Sequence, residues 1–188
     1  GRYGLTVNGV WIAKTNYNDT DTKEFLMSEV KNLAETYKNT PGLLMYLLGN
    51  ENNYGLVWEG AETEDIPVEK DDYSVAARYL YRAMNEATLA MKAIDTSHPI
   101  AICNGDLGFL DIVAEECKDI DIYGTNMYRG VSFGDAFNRV KKELNKPFMF
   151  TEFGADAFNS LKNKEDQKMQ AFYMVENWKE IYENAYGL

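Results

Sequence analysis

The sequence predicts an α/β fold in which parallel strands alternate with helices. Apolar segments of strand length alternate along the chain with amphipathic segments of helix length, a pattern typical of a parallel sheet with right-handed crossovers. Two of the apolar segments, within Gly42 to Glu51 and Lys146 to Gly154, run on until a glutamate interrupts them. Continuous apolar runs of this kind are typical of strands that are buried on both faces.

The first elements follow in a regular order. A strand is predicted over Leu5 to Ala13, and a helix follows over Asp21 to Tyr37, where apolar residues recur at helical spacing behind an acidic start. Thr40-Pro41-Gly42 forms a turn before a second strand over Leu43 to Gly49. The polar segment from Asn52 to Asp72 is predicted to be a long loop, and long loops inside compact domains are often functional.

The rest of the chain continues the alternation and completes five strands of one parallel sheet. An open doubly wound sheet is the alternative architecture, but no glycine-rich phosphate-binding loop follows any of the strands. The further predicted strands cover Pro99 to Cys103, Ile120 to Thr125 and Phe148 to Thr151, and the further helices cover Tyr73 to Ile94, Leu107 to Cys117, Phe133 to Leu144 and Lys164 to Ala185.

Length and composition limit the possible functions. The 188 residues suffice for one domain with a core, but a complete eight-stranded α/β barrel needs about 250. We therefore expect a single domain over residues 1–188 that is too short to be a complete barrel of this kind. The formal net charge of -11 argues against nucleic acid and anionic membranes as partners. No apolar run is long enough to span a membrane, and no signal peptide is visible.

Residues that hold metals are scarce. Cys103 and Cys117 lack the spacing of a zinc site, and Cys103 is predicted to be a small buried residue of a strand. The one histidine, His98, lies in a turn at the N-terminal end of a strand. A metal site or a Ser-His-Asp triad at the opposite end of the sheet cannot use it. The sequence predicts no metal and no cofactor.

Glu51 and Glu152 are the candidate catalytic residues. Each lies where an apolar strand ends, and in α/β barrels the C-terminal ends of the strands carry the chemistry. A single glutamate in such a place often caps a helix or joins a loop, but two carboxylates beside buried segments lose hydration unless they are paired or used. Two carboxyl groups, one protonated and one ionised, can break a glycosidic bond. The spacing leaves open which glutamate has which role.

Polar and aromatic residues near the strand ends are candidate substrate-binding residues. Asn50 can exchange hydrogen bonds with a sugar hydroxyl beside Glu51. Tyr128 either donates a hydrogen bond that keeps a neighbouring carboxylate ionised or lies at the rim of the sheet. Trp58, in the long loop, either stacks on a sugar ring or anchors the loop to the core. The remaining candidates are Asn104 and Asn126, at the ends of the third and fourth strands.

These residues resemble those of the clan A glycoside hydrolases, and the similarity is greatest to the barrels of families two and five. The segment Tyr3 to Ile12, the helix end Thr36 to Pro41, and Leu48-Gly49-Asn50-Glu51 are similar to strands three and four of those barrels. Thr151-Glu152-Phe153-Gly154 is similar to their seventh strand. The resemblance implies a partial TIM (β/α)8 barrel that supplies strands three to seven.

The resemblance also implies a function and roles for single residues. It implies hydrolysis of O-glycosidic bonds in an oligo- or polysaccharide with retention of configuration. Glu51 would be the general acid/base and Glu152 the nucleophile. Asn50 would contact the sugar 2-hydroxyl, and Tyr128 would orient the nucleophile. An extracellular or periplasmic location is favoured by the resemblance only.

Two other functions and one structural expectation remain. The chain is alternatively a carbohydrate-binding barrel without turnover, or a different barrel hydrolase or lyase in which the two glutamates have other roles. A sheet that lacks part of a barrel has open edges, here predicted at Leu5 to Ala13 and at Phe148 to Thr151, and open edges attract partners. We expect self-association, or completion by barrel segments of a longer chain.

Overall fold

The computed structural model describes residues 6–7, 10–11, 16–57 and 71–185. Helices and strands alternate along these residues. The helices are α1 (Thr20–Tyr37), α2 (Tyr54–Val57), α3 (Asp71–Lys92), α4 (Leu110–Glu116), α5 (Ala136–Glu143) and α6 (Gln167–Asn184), and the strands are β1 (Thr6–Val7), β2 (Val10–Trp11), β3 (Tyr46–Leu48), β4 (Ile100–Gly105), β5 (Ile122–Met127), β6 (Phe148–Phe153), β7 (Phe158–Asn159) and β8 (Lys164–Glu165).

The two long outer helices begin at aspartate caps. The carboxylate of Asp19 accepts a hydrogen bond from the backbone N–H of Thr22 at 2.8 Å, and that of Asp166 accepts one from Met169 at 3.2 Å. Each cap satisfies a backbone donor that the first turn of a helix leaves without a partner. These caps explain why α1 and α6 start where they do.

Four strands form a parallel sheet in the order β3-β4-β5-β6. The helices follow the same order, since α1 packs against α3, α3 against α4, and α4 against α5. A doubly wound sheet reverses its strand order at a switch point, and this sheet has no reversal among the described residues. The predicted fold class, a partial TIM barrel of parallel strands alternating with helices, is confirmed, and the doubly wound alternative is wrong.

The prediction of one continuous first strand over Leu5 to Ala13 is wrong. Thr6–Val7 and Val10–Trp11 are antiparallel partners, with Val7 opposite Val10, and they do not join the parallel sheet. Asn8-Gly9 stands between the two paired segments, and Asn-Gly is the residue pair most typical of two-residue hairpin turns. The described parallel sheet therefore has four strands rather than five.

Other boundaries also differ from the prediction. Within the predicted loop over Asn52 to Asp72, Tyr54–Val57 form the short helix α2, and the last two residues belong to α3. Residues 58–70 of this loop lie outside the described residues. The predicted start of the last helix, Lys164, instead belongs to β8, which pairs antiparallel with β7, because Asp166 caps α6 only after it. Within the sheet, β6 extends to Phe153, so Glu152 belongs to the strand itself.

The core lies between the sheet and the helices. Ile100 and Ile102 of β4 are fully buried, as are Leu80, Tyr81 and Met91 of α3. Beside β6, the ring of Phe133 stacks on that of Phe150 with centroids 4.1 Å apart. β4 and β5 have hydrogen-bonded neighbours on both sides, which fix the positions of the residues at their C-terminal ends.

His98 lies at the opposite end of the sheet, before β4. Its Nδ1 is 2.7 Å from Oδ2 of Asp95, which also accepts a hydrogen bond from the Tyr46 hydroxyl at 2.9 Å. The cluster joins the start of β3 to the turn before β4. This agrees with the expectation that His98 lies far from the candidate catalytic edge.

Apolar side chains remain exposed at both sides of the sheet segment. Leu47 of β3 and Phe25 and Leu33 of α1 are exposed at one side, and Trp178 of α6 is 59% exposed at the other. Large exposed apolar surfaces are typical of regions that another segment or molecule covers. Within the described residues, no helix combines the length and the apolar character that crossing a membrane requires.

Candidate active site

Glu51 lies in a tight loop after β3. Gly49 and Glu51 have φ angles of 74° and 53°, in the left-handed region that residues with a side chain seldom adopt. The backbone N–H of Glu51 donates to the carbonyl of Cys103 in β4 at 2.9 Å, which ties this conformation to the sheet. Residues strained in this way concentrate at functional sites, so the backbone supports Glu51 as a candidate.

Two buried asparagines hold the loop after β3. Asn52 accepts from the backbone N–H of Asn50 and donates to the hydroxyl of Tyr17, both at 2.9 Å. Asn53 donates to the carbonyl of Gly105 at 2.8 Å and accepts from the N–H of the same residue at 2.7 Å. The loop is therefore fastened to the segment before α1 and to the end of β4.

The partner of the Glu51 carboxylate comes from β5. Nδ2 of Asn126 donates to Oε1 of Glu51 at 3.0 Å. Burial raises the pKa of the Glu51 carboxyl, the hydrogen bond from Asn126 opposes that rise, and the negative charge of Glu152 adds to it. The pKa is raised overall, so the protonated form of Glu51 persists to higher pH than in an ordinary glutamate.

A polar network beneath the two glutamates joins three strands. Oδ1 of Asn126 accepts a hydrogen bond from the Thr151 hydroxyl at 2.6 Å, and Nδ2 of Asn126 also donates to Oδ1 of Asn50 at 3.2 Å. Sγ of Cys103 lies 3.1 Å from the Thr151 hydroxyl and 3.3 Å from Oδ1 of Asn50. The network fixes the floor of the site from β4, β5 and β6 together.

A register shift in β6 brings two consecutive side chains to the site. Phe150 is opposite Thr125 and Glu152 is opposite Asn126, so Thr151 is an extra residue between the paired positions. A bulge of this kind changes the direction of a side chain and is common beside active sites. As a result Thr151 reaches the network from β6, and the next residue, Glu152, reaches the edge of the sheet.

Glu152 has a different partner from Glu51. The hydroxyl of Tyr128, just beyond β5, donates to Oε2 of Glu152 at 2.7 Å. Burial and the hydrogen bond to Glu152 raise the pKa of the Tyr128 phenol to about 12. Tyr128 is therefore a neutral donor near neutral pH, and the side chain that it supports is exposed. The hydrogen bond fixes the direction in which the Glu152 side chain points.

An ion pair closes the rim of the site. The guanidinium of Arg129 binds both carboxylate oxygens of Asp106, with Nε 2.9 Å from Oδ2, and also donates to the carbonyl of Phe133 at 3.1 Å. The ring of Tyr54 packs against Gly105, where any added Cβ would collide with it. These contacts join the residues after β4 to those after β5 and to α2.

The structure brings together four of the predicted site residues besides Glu51: Glu152, Asn50, Asn126 and Tyr128. Asn104 lies on the other face of β4, where its amide oxygen accepts from the Tyr81 hydroxyl at 2.5 Å and its nitrogen donates to the Tyr123 hydroxyl at 3.0 Å. It packs against α3, so we assign it a structural role and leave it out of the proposed sugar site. Trp58 lies outside the described residues.

Sequence reasoning missed the residues that position the site. From the sequence, Asn52 and Asn53 are residues of a predicted loop, Thr151 is the end of a predicted strand, and Cys103 is a small buried residue. Short polar residues beside a strand end are ordinary turn formers. Their hydrogen bonds to residues far away in the sequence therefore cannot be predicted from the local pattern. In the described part of the chain no group of three or more His, Cys, Asp and Glu side chains could hold a metal ion.

Comparison with known proteins gives a family match. The family model described as "Glycosyl hydrolases family 2, TIM barrel domain" matches residues 5–185. No curated protein matches the chain at a significant level.

Several solved structures share the fold. A GH2 β-galacturonidase from Eisenbergiella tayi bound to galacturonate has a TM-score of 0.60 at 14% identity, covering 87% of this chain and 28% of that one. A β-D-glucuronidase of Dictyoglomus thermophilum has a TM-score of 0.54 at 19% identity, covering 88% and 27%. A family 1 β-glucosidase from Thermotoga maritima has a TM-score of 0.63 at 13% identity, covering 89% and 56%. The chain thus spans about a quarter to a half of the length of these proteins.

Proposed function

Because the chain belongs to the TIM-barrel domain family of the family 2 glycosyl hydrolases, we propose that it hydrolyses O-glycosidic bonds by a retaining double displacement. In this proposal Glu51 is the general acid/base and Glu152 is the nucleophile. The observation that carries it is that neighbouring residues of one strand end hold the two glutamates differently. Asn126 donates to Glu51, and Tyr128 donates to Glu152.

The environment of Glu51 supports the acid/base role. A general acid must be protonated in the first step, and the pKa of Glu51 is raised by burial, with a further contribution from the charge of Glu152. The negative charge of Glu152 opposes the ionisation of the Glu51 carboxyl, because like charges repel. We therefore assign the proton of the first step to Glu51.

The environment of Glu152 supports the nucleophile role. Its exposed side chain can meet a bound substrate, and the Tyr128 hydroxyl 2.7 Å away stabilises its charge and orients it. Since Tyr128 contacts only one of the two oxygens, Oε1 is the oxygen we expect to attack. When Glu152 forms the covalent bond it loses its negative charge, and the hydrogen bond from Tyr128 becomes weaker. This weakening keeps the covalent intermediate from becoming too stable to hydrolyse.

The two carboxyl groups suffice for both steps of the proposed hydrolysis. In the first step a Glu152 oxygen bonds to the anomeric carbon while the bond from that carbon to the leaving oxygen breaks, and Glu51 gives its proton to the leaving oxygen. In the second step a water oxygen attacks the anomeric carbon and passes a proton to Glu51 as the bond to Glu152 breaks. Both residues return to their initial protonation states.

The proposed sugar contacts are Asn50 and Tyr128, with Asn126 as a support. Asn50 is exposed, and its side-chain hydrogen bonds to other described residues use Oδ1. Its Nδ2 is therefore available to the 2-hydroxyl of a sugar bound over Glu152. Trp58 is proposed as a stacking surface on the grounds of its sequence position alone. The substrate class that this site fits is an oligo- or polysaccharide.

A second function is favoured by one observation. Within the described sheet β6 is an edge strand, and Glu152 on it is exposed. Without neighbouring strands to exclude water around the nucleophile, the cleft would bind carbohydrate without turning it over. The two functions differ in whether a covalent glycosyl-enzyme forms.

Trapping with a mechanism-based fluoro-sugar tests the proposed function. The retaining reaction predicts that the fluoro-sugar labels Glu152, seen as a mass increase on the peptide that contains it. Glu152→Gln is expected to abolish the label, while Asp156→Asn, four residues away and exposed, leaves it. Carbohydrate binding without any label would support the binding function, and a label on another residue would overturn the assignment.

The exposed edges support a further part of the proposal. Apolar residues of α1, β3 and α6 lie uncovered where a closed barrel would continue. We propose that these surfaces are covered by self-association or by barrel segments of a longer chain. Light scattering on the purified 188-residue chain checks this, since a monodisperse and cooperatively melting monomer would contradict it.

A further inference from the structure

Cys103 lies in the centre of the candidate site rather than in an ordinary apolar core. It belongs to β4, is 2% exposed, and is paired with Gly124 of β5. The neighbouring residue Asn104 faces α3, so the alternation of side chains along a strand directs Cys103 to the opposite face, toward the glutamates. Burial raises the pKa of the thiol, and the charges of Glu51 and Glu152 contribute to the rise. The thiol is therefore protonated and able to donate.

Three polar oxygens surround the sulfur. Sγ is 3.3 Å from Oδ1 of Asn50, 3.2 Å from Oδ1 of Asn126 and 3.1 Å from Oγ1 of Thr151. A thiol has one proton to donate and its sulfur is a weak acceptor. The Thr151 hydroxyl already donates to Asn126 at 2.6 Å. The thiol proton is thus directed at one of the two amide oxygens.

The contacts fix which way the Asn126 amide points. With Oδ1 toward Cys103 and Thr151, the two protons of Nδ2 reach Oε1 of Glu51 at 3.0 Å and Oδ1 of Asn50 at 3.2 Å. The reversed amide would place its oxygen against two other acceptors and lose the hydrogen bond to the glutamate. The groups around Oδ1 and the acceptors around Nδ2 therefore favour the same orientation of the Asn126 amide.

The second cysteine shows what a purely structural thiol looks like in this protein. Cys117 is equally buried, at 2% exposure, and follows the last turn of α4, where its N–H bonds to the Val113 carbonyl at 2.9 Å. Its surroundings include Ile120 and Leu144, away from both glutamates. The two thiols share their burial, but only Cys103 touches the polar network.

We propose that Cys103 is a positioning residue for Glu51. Its thiol donates to one of the two amide oxygens, and the Thr151 hydroxyl and the Asn126–Asn50 hydrogen bond complete the network that holds both amides in the orientation that supports the acid/base. Cys103 acts through these amides and does not touch the substrate. The proposal rests on the proposed function, since positioning matters to catalysis only if Glu51 transfers the proton. The positioning itself is measurable without turnover.

The readout is the titration of the Glu51 carboxyl group. The groups that face Glu51 are Glu152 on β6, Tyr128 after β5, Tyr54 on α2 and the thiol of Cys103 on β4. Of these, Tyr54 and Tyr128 have pKa values raised to about 12. They remain neutral through the range in which a carboxyl group titrates, so a changed titration of Glu51 reports its hydrogen bonds and the charge of Glu152.

Carbon-13 NMR of the glutamate-labelled full chain, with the Glu51 signal assigned by Glu51→Gln, tests the proposal. Cys103→Val removes the donor at similar volume, so Asn126 holds the Glu51 anion less well and the Glu51 pKa should rise. Cys103→Ser keeps a donor and should restore the original titration. Cys103→Ala is the second deletion variant, for use if valine prevents folding. With a cleavable substrate, the valine variant should lose kcat while KM changes little.

The control is Cys117→Val, which removes an equally buried thiol outside the network. It should leave the Glu51 titration unchanged even if it lowers the melting temperature. An unchanged Glu51 titration in Cys103→Val or Cys103→Ala, or an equal shift in Cys117→Val, would overturn the proposal. Absence of turnover in the unmodified protein would instead contradict the proposed function, and the NMR result would still decide the role of Cys103.

Discussion

The two glutamates of the site differ in how the fold holds them. Glu51 lies in a strained loop, is half-buried, and receives a hydrogen bond from the amide of Asn126. Glu152 lies within a regular strand, is exposed, and receives a hydrogen bond from the phenol of Tyr128. Both donors come from the end of β5, two residues apart, so one strand end supplies a partner to each glutamate.

The difference follows from the position of β5 in the sheet. β5 pairs with β4 on one side and β6 on the other, and side chains two residues apart on a strand share a face. Asn126 therefore reaches across β4 to the loop of Glu51, while Tyr128 reaches toward Glu152. Glu51 is the more buried of the two glutamates, and the end of β5 supplies the hydrogen-bond partner of each.

The largest effect is expected for Glu152→Gln in the full-length protein. Removing the nucleophile eliminates the covalent intermediate for every leaving group, so kcat/KM should fall by a factor on the order of 10⁴–10⁶. Steady-state kinetics with activated and unactivated glycosides measure it, and Asp156→Asn, an exposed carboxylate beyond β6, should keep the activity. Appreciable turnover by Glu152→Gln would remove the contrast between the two glutamates.

The next effect is expected for Glu51→Gln and depends on the substrate. Loss of a general acid costs about 10²–10⁴-fold when the leaving oxygen must be protonated. A glycoside with a good leaving group should react in the first step at nearly the original rate, because its leaving oxygen is stable without a proton. Pre-steady-state measurement of both substrates separates the cases. Equal losses on the two would contradict the acid role of Glu51.

A smaller effect is expected for Tyr128→Phe. The variant removes the 2.7 Å hydrogen bond to Glu152 and keeps the ring. Hydrogen bonds to charged groups contribute about 1.5–3 kcal/mol, which corresponds to a loss of about 10–100-fold in kcat/KM. Tyr182→Phe, at a phenol that is 70% exposed on α6, is the matched control. If both variants retain full activity, the hydroxyl of Tyr128 does not orient the nucleophile.

The smallest predicted effect is on stability and concerns the loop of Glu51. Asn53→Ala removes the side chain that bonds to both the N–H and the carbonyl of Gly105, which is buried. The free energy of unfolding should therefore fall by about 1–3 kcal/mol. Chemical denaturation measures the change. Asn32→Ala, on the exposed part of α1, should alter stability much less. Equal effects of the two variants would show that Asn53 does not fasten the loop.

The strands of the sheet core, and the position of both glutamates at strand ends, could be predicted from the sequence, because apolar runs and helical spacing are local signals. The prediction failed at Leu5 to Ala13, where the Asn8-Gly9 turn signal outweighs the strand pattern, and at Lys164, where the Asp166 cap delays the helix. The sequence also does not show that Asn126 faces the site while Asn104 faces α3. Which face of a strand an asparagine occupies depends on register and on the bulge at Thr151, and neither is a local property.

The contrast between Glu51 and Glu152 is tested most directly by the pH dependence of kcat/KM. The raised pKa of Glu51, caused mainly by burial, keeps the acid protonated to higher pH, so activity on an unactivated substrate should persist to that pKa and fall above it. In Glu51→Gln, measured with a good leaving group, this alkaline fall should disappear. An alkaline limb that is the same in both proteins would contradict the assignment of Glu51 as the acid.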